Sequence, residues 1–201
     1  ERLTIRNGSS NNGGGISTNG YTTLVNTTLT NNYASIAGGA VHNYTRVLTI
    51  INSTLVNNGA TSSGDGVWTE GSRASAKLYN TILANPGYKG DCAGPVAVND
   101  HNLIQDGTCS PMVSGDPKLG PYSDGYYMPQ AGSPVIDAGS NSSCVTNDQL
   151  DHPRTDGNGD GVVVCDLGAI EAPEAITMIQ VSREWAPMRS RIFNPPMPGK
   201  S

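Results

Sequence analysis

Three groups of side chains in this sequence are of types that do chemistry. The first is Asp156-Gly157-Asn158-Gly159-Asp160-Gly161, with side-chain oxygens at alternate positions and glycines between them. That is the opening of an EF-hand-type loop, in which a calcium ion gathers oxygens that would otherwise repel one another. The twelfth position of such a loop should be a carboxylate, but Leu167 stands there, with Asp166 one residue early and Asp151 upstream. Calcium on Asp156, Asn158 and Asp160 is therefore one expectation, and a simple Gly/Asp turn is the other. No other cofactor is suggested.

The second group could act on or bind sugars. Asp65 and Glu70 are acids, Arg46, Arg73 and Lys77 are bases, and Tyr44 and Trp68 offer rings on which a sugar could stack. Glycoside hydrolysis wants two carboxylates flanking one bond, and lyase chemistry wants a basic residue beside a carboxylate cluster. Neither pattern is present. His42, His101 and His152 show no pairing with a nucleophile. The sequence thus predicts no enzyme, and a carbohydrate-binding face of Asp65, Trp68, Glu70 and Arg73 is the alternative reading.

The third group is four cysteines, Cys92, Cys109, Cys144 and Cys165, which fall into two local pairs. None has the Cys-x-x-Cys spacing of a metal site, so disulfides and an oxidising compartment are expected. Sequence permits three connectivities. Nearest-neighbour pairing would close two loops of similar length, each stabilising by about 3 kcal/mol in the chain-entropy picture. Asn-x-Ser/Thr sites occur at Asn7, Asn26, Asn43, Asn52 and Asn141, of which Asn43 and Asn141 read as loop residues and the best glycan acceptors.

The elements that must position these groups are announced by a repeat. Thr22-Thr23-Leu24-Val25-Asn26 recurs as Thr49-Ile50-Ile51-Asn52 and as Lys77-Leu78-Tyr79-Asn80, so that Asn26, Asn52 and Asn80 are 26 and 28 residues apart. Gly14-Gly15-Ile16, Gly39-Ala40-Val41 and Gly66-Val67 keep nearly the same beat. A period of this length marks a solenoid, whose single repeat cannot bury its apolar face alone. Short β-branched runs between Asn, Gly and Ser, with no 3.6-residue period, make each repeat a coil of strands. The aligned asparagines should stack at one corner and bond to each other and to turn backbone.

Composition agrees. Aromatic residues are 5% and charged residues 14% of the 201-residue chain, which suits a narrow interior of stacked aliphatic side chains. The net charge of −5 argues against nucleic-acid partners. No apolar run approaches the roughly 20 residues of a membrane span.

Asp91-Cys92-Ala93-Gly94, His101-Asn102-Leu103-Ile104, Asp116-Pro117-Lys118-Leu119-Gly120-Pro121, Gly132-Ser133-Pro134-Val135-Ile136-Asp137-Ala138-Gly139 and Cys165-Asp166-Leu167-Gly168-Ala169-Ile170-Glu171 appear in that order. Together they resemble bacterial right-handed parallel β-helix surface proteins with a choice-of-anchor Q region. The repeats before them are similar to those of polymorphic outer-membrane and adhesin-like proteins. The resemblance implies a right-handed parallel β-helix and an extracellular address, and little about activity.

The expected architecture is all-β: a single-stranded, right-handed parallel β-helix of roughly six to eight coils. Residues 1–171 form it, with regular coils over 1–90 and disulfide-containing coils or a cap over 91–171. Residues 172–201 form an extended tail, with a strand-prone run around Ile176, Ile179 and Val181. Leu3 and Ile5 enter the first rung at once, leaving an open end that invites another chain. The sequence therefore predicts a secreted, non-catalytic structural or adhesive surface protein. Its most specific form is a homopolymer, a filament built head to tail by rung stacking and tail exchange, with surface glycans as further partners.

Overall fold

A computed structural model describes residues 2–87 and 89–174. Every regular element in them is a strand. The first coil is β1 (Thr4–Arg6), β2 (Ser9–Asn12), β3 (Ile16–Thr18) and β4 (Thr22–Val25). The second is β5 (Thr28–Thr30), β6 (Tyr33–Ala37), β7 (Val41–Asn43) and β8 (Arg46–Ile51). The third is β9 (Thr54–Val56), β10 (Gly59–Ala60), β11 (Val67–Thr69) and β12 (Ala74–Tyr79). A fourth, less regular turn holds β13 (Ile82–Ala84), β14 (Cys92–Ala93) and β15 (Val96–Asp100), and leads into β16 (Leu103–Ile104).

Corresponding strands stack into four parallel sheets: β1-β5-β9-β13-β16, β2-β6-β10, β3-β7-β11-β14 and β4-β8-β12-β15. The protein is a parallel β-solenoid. Register is set by like residues lying over like: Leu29 pairs with Leu55 and Leu55 with Leu83, while Val41 pairs with Val67. All of these are fully buried. Corners are sharp because Asn26, Asn52 and Asn80 take the left-handed conformation, with φ of 49°, 42° and 48°, which Asn tolerates better than most residues. The second repeated phrase has a different cause. A Cβ on Gly39 would sit 2.2 Å from the Asp65 carbonyl oxygen, so coils approach there too closely for any side chain.

The winding stops sooner than the sequence suggests. Three complete coils and a partial fourth stand where six to eight are expected. Pro117, Pro121, Pro129, Pro134 and Pro153 explain part of this, because proline cannot donate to a ladder. After β16 the chain turns back along the outside of the first sheet. Tyr127 shares a hydrogen bond with Thr30 at 2.7 Å, and Asp151 pairs with Arg2 at 2.7 Å, beside the first coil. A second core of Val56, Ile82, Leu103, Tyr127, Val135 and Leu167 fills the space between sheet and returning chain. Hence β5, β9 and β13 are buried on both faces, as the central strands of a covered parallel sheet are.

Candidate functional site

The corner asparagines dock the returning chain. Asn26 Nδ2 donates to the Asn147 carbonyl at 2.7 Å. Asn52 Nδ2 reaches the Asp166 carbonyl at 3.4 Å, and its Oδ1 accepts from the Val145 N–H at 3.2 Å. Asn80 does the same with both partners in Ser140. The three amides bond to this backbone and not to one another.

The ladder of amide on amide is a different column. Asn32 Nδ2 donates to Asn58 Oδ1 at 2.9 Å, Asn58 Nδ2 to Asn85 Oδ1 at 3.1 Å, and Asn85 Nδ2 to Asp91 Oδ1 at 2.8 Å. Its signal was present in the sequence as the second asparagine of Asn31-Asn32 and Asn57-Asn58. Burial, with Asp106 nearby, pushes the Asp91 carboxyl up to about 6.

The last rung is capped by side chains at Asp91 and Cys92. In the third coil the N–H groups of Asp65 and Gly66 donate to carbonyls of the coil above, at Gly90 and Asp91. One coil later that coil is missing. The Asp91 N–H instead donates to Asp106 Oδ2 at 2.9 Å and the Cys92 N–H to Thr108 Oγ1 at 3.0 Å. The Cys92–Cys109 disulfide ties this loop to the rung it closes. The Cys144–Cys165 disulfide joins two strips of the returning chain beside Asn52 and Asn80. Two disulfides favour an oxidising compartment, and among the described residues no helix is long and apolar enough to cross a membrane.

The opposite end has no such closure among the described residues. Strands β1, β2, β3 and β4 are each an edge of their sheet, as β16, β10, β14 and β15 are at the other end, but among the described residues no side chain closes the first four from beyond the rung. Ile5 and Ile16 are only partly buried, whereas Leu29 and Val41 above them are fully buried. Leu3 is 42% exposed. The tail positions Ile176, Ile179 and Val181 lie outside the described residues.

The Asp/Gly loop spends its oxygens on its own backbone. Asp156 accepts from the N–H groups of Gly159, Asp160 and Gly161, Asn158 from Asp160, and Asp160 from Val162. These bonds hold the Asp156 carboxyl below its ordinary range. The loop thus closes on itself through its own backbone N–H groups. Among the described residues no group of three or more His, Cys, Asp or Glu is placed to hold a metal.

Of the two glycan acceptors, Asn141 is exposed but Asn43 is not. Asn43 ends β7 rather than lying in a loop, is fully buried, and donates to the carbonyls of Arg46 and Ser75. Asn26 and Asn52 are buried as well.

The sugar-type residues divide. Asp65 points inward, its carboxylate accepting from the N–H groups of Ala60 and Lys89. Arg73 lines a separate depression with Arg46 and Thr45. Trp68 and Glu70 come together on the outer face of the third sheet with His42 and Tyr44, at a cleft of about 210 Å³. Register explains the grouping: Trp68 lies over His42 on adjacent strands, and Glu70 follows two residues on. His42 Nε2 is 3.0 Å from Glu70 Oε2, yet neither ring nitrogen completes an aligned hydrogen bond. Burial pulls the His42 pKa down, against an upward push from Glu70. This histidine gave no signal in the sequence, because its partner is 28 residues away.

No protein-family model matches the chain, and neither a curated protein nor a solved structure is significantly similar to it. The likeness to choice-of-anchor Q surface proteins rests on the quoted phrases alone.

Proposed function

We propose that this chain is a non-catalytic structural module of a secreted, surface-exposed protein, and that it joins its assembly through its first coil. One observation carries the reading: the two ends of the solenoid differ. The last rung is closed at Asp91 and Cys92 by Asp106, Thr108 and the Cys92–Cys109 disulfide. The first rung has no such side-chain closure among the described residues and leaves Ile5 and Ile16 half-buried. Unpaired strand edges over an apolar interior recruit further strands.

Head-to-tail stacking would press this open rung onto one where the Asp91 and Cys92 N–H groups are already taken and the Cys92–Cys109 loop stands in the way. The geometry therefore favours contact of first rung with first rung between two copies, a closed two-fold assembly, over an open filament. Sedimentation velocity of the full chain, beside a Leu3→Asp variant, tests this. A dimer that the exposed charge at position 3 converts to monomer supports the reading. A monomeric parent chain overturns the self-association, and filaments on electron-microscope grids overturn the capped end in favour of head-to-tail assembly.

A further inference from the structure

The cleft on the third sheet has the features of a small ligand site. His42 is only 2% exposed, lines the cleft and turns Nε2 toward Glu70. Its Nδ1 and Trp68 Nε1 are buried without a hydrogen-bond partner, and Nε2 has only Glu70 Oε2, 3.0 Å away. A buried polar atom left unpaired costs roughly 1–3 kcal/mol. Two of them gathered beside one cleft call for a partner that the fold does not supply. Glu70, whose side chain is half exposed at 51%, adds an acceptor at the rim. The rest of the wall is ring and methyl: Tyr44 packs tilted against His42 with centroids 3.9 Å apart, Trp68 meets His42 edge-on at 6.2 Å, and Ile36 also lines the cleft.

The ligand must then have an apolar face to lie against an aromatic ring and hydrogen-bonding groups around its edge. It must be uncharged or nearly so, since an anion would meet Glu70 and a strong cation would be pulled to it and away from Trp68 Nε1, which can only donate. A pyranose ring meets these demands: axial C–H groups form the face and hydroxyls that both donate and accept form the edge. The volume fits one sugar residue rather than a length of polysaccharide. We propose that His42, Tyr44, Trp68 and Glu70 form a site for a single neutral hexopyranose residue. The site binds; no pair of groups in it brackets a glycosidic bond. It does not depend on what occupies the first rung.

Trp68 is one of two tryptophans in the chain, so Trp185→Phe leaves it as the only indole reporter. In that background, emission is followed while methyl glucoside, methyl galactoside, N-acetylglucosamine and galacturonic acid are each titrated into the millimolar range. The expected result is a saturable change with at least one neutral sugar and none with the acid. By calorimetry, Glu70→Gln should weaken that binding about tenfold, the difference between a hydrogen bond to a charged acceptor and one to a neutral amide oxygen, while Tyr33→Ala on the neighbouring sheet should leave it unchanged. Glu70 is exposed enough to be replaced without unfolding, and circular dichroism checks this. No saturable change with any of the sugars, or equal binding by the Glu70→Gln variant, overturns the assignment.

Discussion

Asn80 and Ser140 exchange two hydrogen bonds: Asn80 Nδ2 donates to the Ser140 carbonyl at 3.0 Å, and the Ser140 N–H donates to Asn80 Oδ1 at 2.8 Å. A side-chain amide has the donor and acceptor of a peptide group, so a corner asparagine extends the solenoid sideways as if it were backbone. The backbone of Asn80 takes part as well, its carbonyl accepting from the Gly168 N–H at 2.7 Å. Replacing Asn80 by Ala would remove both side-chain bonds and leave at φ of 48° a residue that tolerates the left-handed region less well than Asn. The expected loss is about 3–4 kcal/mol by denaturant unfolding. Asn80→Gly keeps the corner and loses only the bonds, so its loss should be smaller by about 1 kcal/mol.

Thr108 stands in for a coil that does not exist. Thr108→Val would leave the Cys92 N–H without its acceptor, with little change of volume. The expected cost is about 1–2 kcal/mol. Hydrogen exchange should quicken at the amides of Asp91 and Cys92 and stay slow at Leu55, which is inside a complete coil.

The Cys144–Cys165 disulfide fastens the returning chain at the ladder of corners. Replacing both cysteines by serine removes a bridge of sequence separation 21, with an expected loss of about 3 kcal/mol. The weakened part should be local. Exchange at Val145 and Asp166 should rise strongly, whereas Leu29 and Val67, deep in the solenoid, should change only by the drop in global stability.

Stability should fall as pH rises through neutrality. Burial, with Glu171 beside it, pushes Asp166 from the ordinary 3.8 up to about 7, and Asp91 rises to about 6 for the same first cause. Both bind protons more tightly folded than unfolded. Their contribution is therefore fully present below the unfolded value and is lost as pH climbs to the folded one. Asp106, held by the hydroxyl and N–H of Thr108, is shifted down, so its contribution is lost on the acid side. Thermal unfolding should give a higher midpoint at about pH 5 than at about pH 8, with a decline again below about pH 4. A flat profile between pH 5 and 8 would mean that neither buried carboxyl titrates in that window. The returning chain is the part that should loosen first, because Asp166 accepts the N–H groups of Asp137 and Ala172 and lies beside the buried Arg154–Glu171 pair at 2.7 Å.

What the sequence by itself determined is the coil. The recurrence of Asn26, Asn52 and Asn80 and the β-branched runs before them state the period, the parallel stacking and the buried columns, because each is a local preference repeated until it adds up. The cysteines announced disulfides, and the shorter of the possible pairings is the one formed. What only the tertiary structure decided is where winding ends and what covers the outside. Arg2 and Asp151, or Thr30 and Tyr127, meet across about half the chain or more, and no spacing rule relates residues that far apart. The same distance hid the different duties of two asparagine columns, one bonded to itself and one to the returning chain. Asn43 looked like a loop residue because its buried neighbours belong to other coils. His42 and Glu70 met only once the coils were stacked in register. Period is written along one dimension; docking is a property of surfaces that do not exist until the coils are closed.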